Sequence, residues 1–333
     1  MMRREFITAL SGAAVVWPLA TLAQQPAKMK RIAFVTASAK ISELVASNNR
    51  YRPWFEELHR LGYVEGQNIA IERYSAEDRT DRYDELARDV VSTNPDVIFV
   101  IYGRLALAFK KSTTTIPIAC VSPDPIALGI VSNLAHPGGN ITGVSIDAGI
   151  EVVGKRLGLL LEAIPRASNI SYLSSRYGWE AAQGRTVRES AKQRRISISA
   201  ALLEGTIDEA QYRETFTAME RNRVDAMLVS GESTNFTHRQ LIVDLAAKTR
   251  IPALYSIPES VELGGLMAYG YDSAIAYSRA ANVIDQILKG VSAGEIPFYQ
   301  ATKFELVINL KTAKALGLEL PATLLGSADE VIE

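Results

Sequence analysis

The chain has 333 residues, and its 36 Lys plus Arg against 37 Asp plus Glu leave a formal net charge of -1, which gives no basic face for nucleic acid. Its single cysteine, Cys120, excludes an intrachain disulfide, and its three histidines, His59, His136 and His238, are not spaced to share a metal ion. With the N-terminal segment set aside, about 310 residues remain, too many for one core and suited to two domains.

Residues 1–23 read as an export signal. Arg3-Arg4-Glu5-Phe6-Ile7 resembles the twin-arginine pattern, although Met2 stands where Ser or Thr is usual. An apolar stretch follows to Ala23, interrupted by Pro18, with cleavage expected after Ala23; the general secretory route and an uncleaved anchor are the alternatives. No second long apolar run occurs, so no permanent membrane anchor is expected after cleavage.

Beyond the signal the pattern alternates strand and helix. Ile32 to Val35 is a short apolar run fit for a strand buried on both faces. A helix from Tyr51 to Arg60 is closed by Leu61-Gly62, and Ile69 to Tyr74 is a strand. Asp81 to Ser92 makes a helix, Val97 to Ile101 the clearest strand, Leu105 to Lys111 a helix, Ile116 to Val121 a strand and Ile141 to Ser145 another. The alternation then restarts. Helices are expected at 153–164, 180–195, 209–222 and 238–249, strands at 170–173, 196–203, 225–229, 251–255 and 266–269, and a long helix at 273–288. This predicts an α/β fold with two doubly wound, parallel-sheet lobes covered by helices. Cys120 lies in an apolar strand and reads as a buried small hydrophobe.

Several stretches carry a family resemblance: Glu57-Leu58 with Leu61-Gly62-Tyr63, Glu65-Gly66-Gln67-Asn68, Pro95-Asp96-Val97-Ile98, Asp124-Pro125, Leu134 through Gly143, and Gly264 through Gly270. The tail from Lys303 to Ala313 is its most recognisable piece. The chain resembles bacterial ABC-importer substrate-binding proteins related to the tryptophan/tyrosine-binding type. The resemblance implies the periplasmic-binding-protein type I fold, with lobes joined by three crossovers at a hinge. The first lobe would hold 30–146 and 271–298, the second 147–270 and 299–333. It also implies an extracytoplasmic (periplasmic) protein, a small-molecule ligand, an ABC permease as partner, a monomer, and no catalysis or cofactor.

In such sheets ligands lie beyond the carboxyl ends of the strands. That rule nominates Thr36 and Ser38, then Tyr102, Gly103 and Arg104, then Ser122, Pro123 and Asp124 in the first lobe. In the second it nominates Ser175 and Tyr177, then Ser230, Gly231 and Glu232, then Ser256, Tyr269 and Asp272. Hydroxyls, rings, a guanidinium and carboxylates suit a small polar solute, with an amino acid favoured. Bland roles stand beside these: loop hydroxyls satisfy nearby backbone, and Asp124 can cap the next turn. Arg104 departs from the family, where a small hydroxyl residue commonly follows this Gly. Enzyme readings lack support, because no G-x-S-x-G elbow, P-loop lysine motif or G-x-G-x-x-G after the first strand is present. A sensory ligand-binding module for a membrane receptor, or a small-metabolite enzyme on the same scaffold, remain alternatives.

Overall fold

The computed structural model describes residues 29–48, 50–146, 151–205 and 207–333. The export signal at 1–23 and the link at 147–150 lie outside the described residues. One lobe begins with β1 (Lys30–Thr36), α1 (Arg52–Arg60), β2 (Ile69–Ser75), α2 (Tyr83–Ser92), β3 (Val97–Ile101), α3 (Gly103–Ser112), β4 (Ile118–Ser122) and β5 (Ile141–Ser145). The chain then builds a second lobe from α4 (Glu151–Ala163), β6 (Asn169–Ser175), α5 (Arg176–Glu180), α6 (Ala182–Gln193) and β7 (Ser197–Leu203). That lobe continues with α7 (Glu209–Arg221), β8 (Ala226–Val229), α8 (Ser233–Thr237), α9 (Arg239–Thr249), β9 (Ala253–Tyr255), α10 (Glu259–Glu262) and β10 (Met267–Tyr271). The chain returns to the first lobe for α11 (Ser273–Leu288) and β11 (Tyr299–Gln300). It ends in the second lobe with β12 (Phe304–Asn309), α12 (Leu310–Leu316), α13 (Ala322–Gly326) and β13 (Glu330–Ile332).

The first sheet runs β11-β5-β4-β3-β1-β2 and is parallel throughout. Successive side chains point to opposite faces of a strand, and β1 shows the result. Ile32 and Phe34 join the core under α1 and α11, while Ala33 and Val35 join the core under α2 and α3. Burial on both faces is why the strands read as unbroken apolar runs. Phe34, Trp54 and Phe99 form an aromatic cluster, with the Trp54 and Phe99 rings stacked at 5.0 Å. Each fully buried ring contributes roughly 1.5–3 kcal/mol of hydrophobic stabilisation. Gly143 lets β5 approach β4: at its φ of 153° a Cβ would stand 1.9 Å from the Cys120 carbonyl oxygen. Burial pushes the Cys120 thiol above its ordinary range, so it is protonated packing.

The second sheet runs β13-β12-β10-β9-β8-β6-β7. Here one pair corrects the parallel expectation: β12 is antiparallel to β10. The connectivity gives the reason, since β10 leaves the lobe toward the crossover and β12 enters from it. The boundaries also shift slightly. Tyr299 and Gln300 pair with Val144 and Ser145 of the first sheet, so the third crossover follows residue 300 and not 298. Tyr271 pairs with Phe304 in the second sheet yet packs against the first-lobe core, which places it at the junction of the two lobes. No described helix is long and apolar enough to cross a membrane.

Candidate functional site

A cavity of about 530 Å³ lies between the lobes, where the carboxyl ends of the strands face each other. The first lobe contributes Arg50, Tyr102, Arg104, Pro123, Asp124 and Tyr277 to its wall. From the second come Arg156, Tyr177, Glu180, Arg185, Glu232, Phe236 and Ser256, with Tyr271 at the junction. Among the described residues the lobes touch at several polar contacts, including the Ser273 hydroxyl of α11, which donates to Glu259 of α10 at 2.6 Å. The Arg50 guanidinium carbon lies 3.4 Å from the centre of the Phe236 ring, and that of Arg104 lies 4.2 Å from the centre of the Tyr177 ring. The Ser38 hydroxyl donates to the Ser233 carbonyl at 3.4 Å.

Tyr102 carries the clearest local signature of a site. It links β3 to α3 with φ 106° and ψ 118°, a backbone region that costs a non-glycine residue on the order of 1–3 kcal/mol. Its amide donates to the Val121 carbonyl at 3.0 Å, so the flanking strands fix the conformation. Burial, reinforced by the Glu232 carboxylate, pushes its phenol well above the usual range, and the hydroxyl remains a neutral donor. Directly beyond it, α3 can start only because residue 103 is glycine. A Cβ there would fall 2.4 Å from the Ser122 Oγ.

Glu232 organises the opposite wall. Its carboxylate accepts from the Ser175 amide at 2.8 Å, the Ser175 hydroxyl at 2.5 Å and the Ser230 hydroxyl at 2.8 Å. The Ser175 hydroxyl in turn accepts from the Gly178 amide at 3.0 Å and so caps α5. Asn235 extends the network, donating to the Ser230 hydroxyl at 2.9 Å and accepting from the Tyr212 hydroxyl at 2.8 Å. These bonds tie the loops after β6 and β8 into one rigid unit. Asp124 shares its duties: one oxygen accepts from the Ile126 and Ala127 amides at 3.0 and 2.9 Å, while the residue also lines the cavity.

Of the residues nominated from the sequence, Tyr102, Arg104, Pro123, Asp124, Tyr177, Gly231, Glu232 and Ser256 line the cavity. Of the others, Ser122 has a buried hydroxyl with no hydrogen-bond partner among the described residues, and the rest do local work. Thr36 donates to the Ala39 carbonyl, Ser38 bridges the lobes, and Ser230 serves Glu232. Gly103 packs against Ser122, and Ser175 is occupied with Glu232 and the α5 cap. Tyr269 pairs with Lys155 at 2.8 Å, and Asp272 caps α11 through the Ile275 amide at 3.1 Å. Ser256 reaches the wall but spends its hydroxyl on the Val229 carbonyl at 2.7 Å.

Sequence reasoning missed Arg50, Arg156, Phe236, Tyr271 and Tyr277. Arg50 stands just ahead of α1, where a cation faces the positive end of the helix dipole. It turns away and donates to the Tyr277 hydroxyl at 2.8 Å. Burial raises the Tyr271 phenol to about 12 and moves Tyr277 the same way, so both rings are neutral walls at physiological pH. The Arg156 Nε donates to the Tyr269 carbonyl at 2.7 Å, which fixes that guanidinium at the cavity edge. Among the described residues no cluster of His, Cys, Asp and Glu could hold a metal ion.

Comparison with known proteins agrees with this architecture. A tyrosine-binding protein of Clostridioides difficile is 26% identical over 285 residues, covering 84% of this chain and 80% of the relative. A conserved domain protein of Vibrio cholerae superposes with a TM-score of 0.80 at 24% identity, covering 91% of this chain and all of that structure. An ABC domain of Streptococcus pneumoniae, solved with L-Trp, superposes with a TM-score of 0.78 at 23% identity and the same coverage. Both share the two-lobed periplasmic-binding-protein type I fold with this chain. The model of the ABC transporter substrate binding protein family, whose members bind small molecules and are not enzymes, matches residues 41–332. A match over nearly the whole chain, on this fold and around this cavity, makes the protein a member of the ABC transporter substrate binding protein family.

Proposed function

We propose that the protein is the extracytoplasmic receptor of an ABC importer. It captures a small polar solute in the interlobe cavity and delivers it to the membrane permease as a monomer. In this reading the twin-arginine-like segment at 3–7 directs export to the periplasm. The observation that carries the reading is the cavity itself, walled by both lobes and linked through only three crossovers. A ligand that contacts both walls stabilises the closed arrangement by its differential affinity, which is the signal a permease can read.

An amino acid or a similarly small carboxylate-bearing metabolite is favoured as the solute. Tyr102, Tyr177, Phe236 and Tyr271 give the cavity aromatic walls, and its polar groups include guanidiniums and carboxylates. The tyrosine named for the Clostridioides difficile relative and the L-Trp held by the Streptococcus pneumoniae structure suit such walls. The test is a thermal-shift screen over amino acids, aromatic acids, nucleosides and sugars, followed by small-angle scattering with each hit. Binding to the folded state raises stability by about 2.7 kcal/mol at a hundredfold excess over Kd, which is visible as a higher Tm. The expected result is a stabilising hit that also compacts the protein. A tight ligand that leaves the scattering profile unchanged refutes capture by lobe closure.

A further inference from the structure

Resting on the solute-binding reading, we propose that the cleft selects an aromatic carboxylic acid. Arg104 and Arg50 recognise the acid group, and an amino group on the ligand is dispensable.

The charges in the wall differ in how far they are already satisfied. Arg50 contacts the Tyr277 hydroxyl and the Phe236 ring, and Arg104 contacts the Tyr177 ring. Among the described residues neither guanidinium has a carboxylate in ion-pairing range. A guanidinium held against rings and out of bulk water is costly without an anion, so an arriving carboxylate gains a charge-assisted bond there. The acidic side chains of the same wall are in the opposite condition. Glu232 already accepts three hydrogen bonds from its own lobe. Glu180 lies 3.6 Å from Arg176 at the rim, with its side chain 64% exposed, so water rather than the wall serves its carboxylate. One Asp124 oxygen is occupied by two backbone amides. A carboxylate offers about four acceptor sites, so the wall holds little unused capacity for an ammonium donor. Apart from the solvent-exposed Glu180 at the rim, the Asp124 Oδ2 is the acceptor left over, which makes Asp124 the discriminating position.

The aromatic half of the assignment follows from where the two arginines sit. Both belong to the first lobe and both lie over rings of the second, so closure brings a guanidinium and an aromatic face together on two sides of the cavity. A flat ligand with an acid end can continue both stacks and pair with the cations at once.

The test is isothermal titration calorimetry with three sets of probes. Indole-3-acetate and 4-hydroxyphenylacetate carry only the acid, L-Trp and L-Tyr carry acid and amine, and tryptamine and tyramine carry only the amine. The acids are expected to bind within about threefold of the amino acids, and the amines at least about a hundredfold more weakly. Arg104→Gln is expected to weaken acid binding about tenfold or more, whereas Asp124→Asn changes it less than about threefold. Arg50→Gln is the second variant, and unliganded melting curves establish that each variant is folded. Binding confined to the amino acids or the amines overturns the proposal, as does acid binding that survives both arginine changes. Ribose, glucose and adenosine complete the set. If one of these alone binds, the acid assignment fails while solute capture stands; silence from every class removes the solute-binding reading as well.

Discussion

The two lobes present unlike surfaces to the same cavity. The second-lobe wall is finished before any ligand arrives: Glu232, Ser175, Ser230, Asn235 and Tyr212 consume one another's donors and acceptors. The first-lobe wall is unfinished, with Arg104 resting on a ring of the opposite lobe and Tyr102 held in a costly backbone conformation. One side is therefore a rigid platform and the other carries unspent interaction capacity. Under the solute-binding reading proposed above, this division would keep the recognition geometry fixed while leaving groups available to a ligand.

The largest effect that can break this contrast is expected at Glu232. Glu232→Ala leaves the Ser175 amide, the Ser175 hydroxyl and the Ser230 hydroxyl without their acceptor. Unsatisfied groups of this kind cost about 1–3 kcal/mol each, so a loss of roughly 2–4 kcal/mol is expected after partial rescue by water. Urea unfolding measures it. Arg104→Ala in the same assay should cost under about 0.5 kcal/mol, because it removes no buried hydrogen-bond partner. Similar costs for the two variants would erase the distinction between the walls.

A pH dependence sharpens the contrast at the lips of the cleft. Burial pushes the carboxyl of Asp78, in the first lobe, up to about 6, and only His238 of the second lobe opposes the shift. Asp78 also bears on the phenols of Tyr83 in its own lobe and Tyr212 across the cleft. A separation of the lobes that uncovers Asp78 would return the carboxyl toward its ordinary value of 3.8. The closed form thus holds this proton more tightly. Its advantage is complete below about pH 4 and is lost as pH rises through 6. Ligand affinity should fall over that window by roughly tenfold, a value discounted for the partial exposure of Asp78. Titrations from pH 4 to 7 test this, and Asp78→Asn should flatten the profile.

The smallest effect on ligand affinity is expected at Asp272. Loss of an N-cap costs about 1 kcal/mol, so Asp272→Ala should lower the unliganded Tm by a few degrees and leave ligand affinity within about twofold. A large change in affinity with an unchanged Tm would return Asp272 to the cavity.

Much of the fold is legible because the central strands of both sheets are buried on both faces. All five residues of β3 are buried, and such a run reads as a strand without help from its neighbours. The two-residue β11 and the reversed β12 leave no comparable trace. The former is defined by backbone pairing with Val144 and Ser145, the latter by the direction from which the chain re-enters. The site divides along the same line. Tyr102, Arg104, Asp124 and Glu232 follow strand ends, where a positional rule reaches them. Phe236 is on a short helix and Tyr277 on the helix that returns from the other lobe, so only the assembled crossovers bring them to the cavity. The hydroxyls of Thr36, Ser230 and Ser256 are spent on nearby backbone or carboxylate partners, which a rule based on strand ends does not foresee.

The late return of α11 has a consequence for how the molecule comes into being. Ala276, Tyr277, Ala280 and Ile284 complete the core beneath α1, and Asn282 donates to Glu57 across 225 positions of sequence. A nascent chain therefore displays the apolar face of its first sheet throughout synthesis of the second. At 5–20 residues per second that exposure lasts roughly ten seconds or more. Neither lobe is a segment that can finish folding alone and wait. Contacts of such span slow folding and leave surface open to association, so the first sheet keeps an uncovered apolar face until α11 has been made.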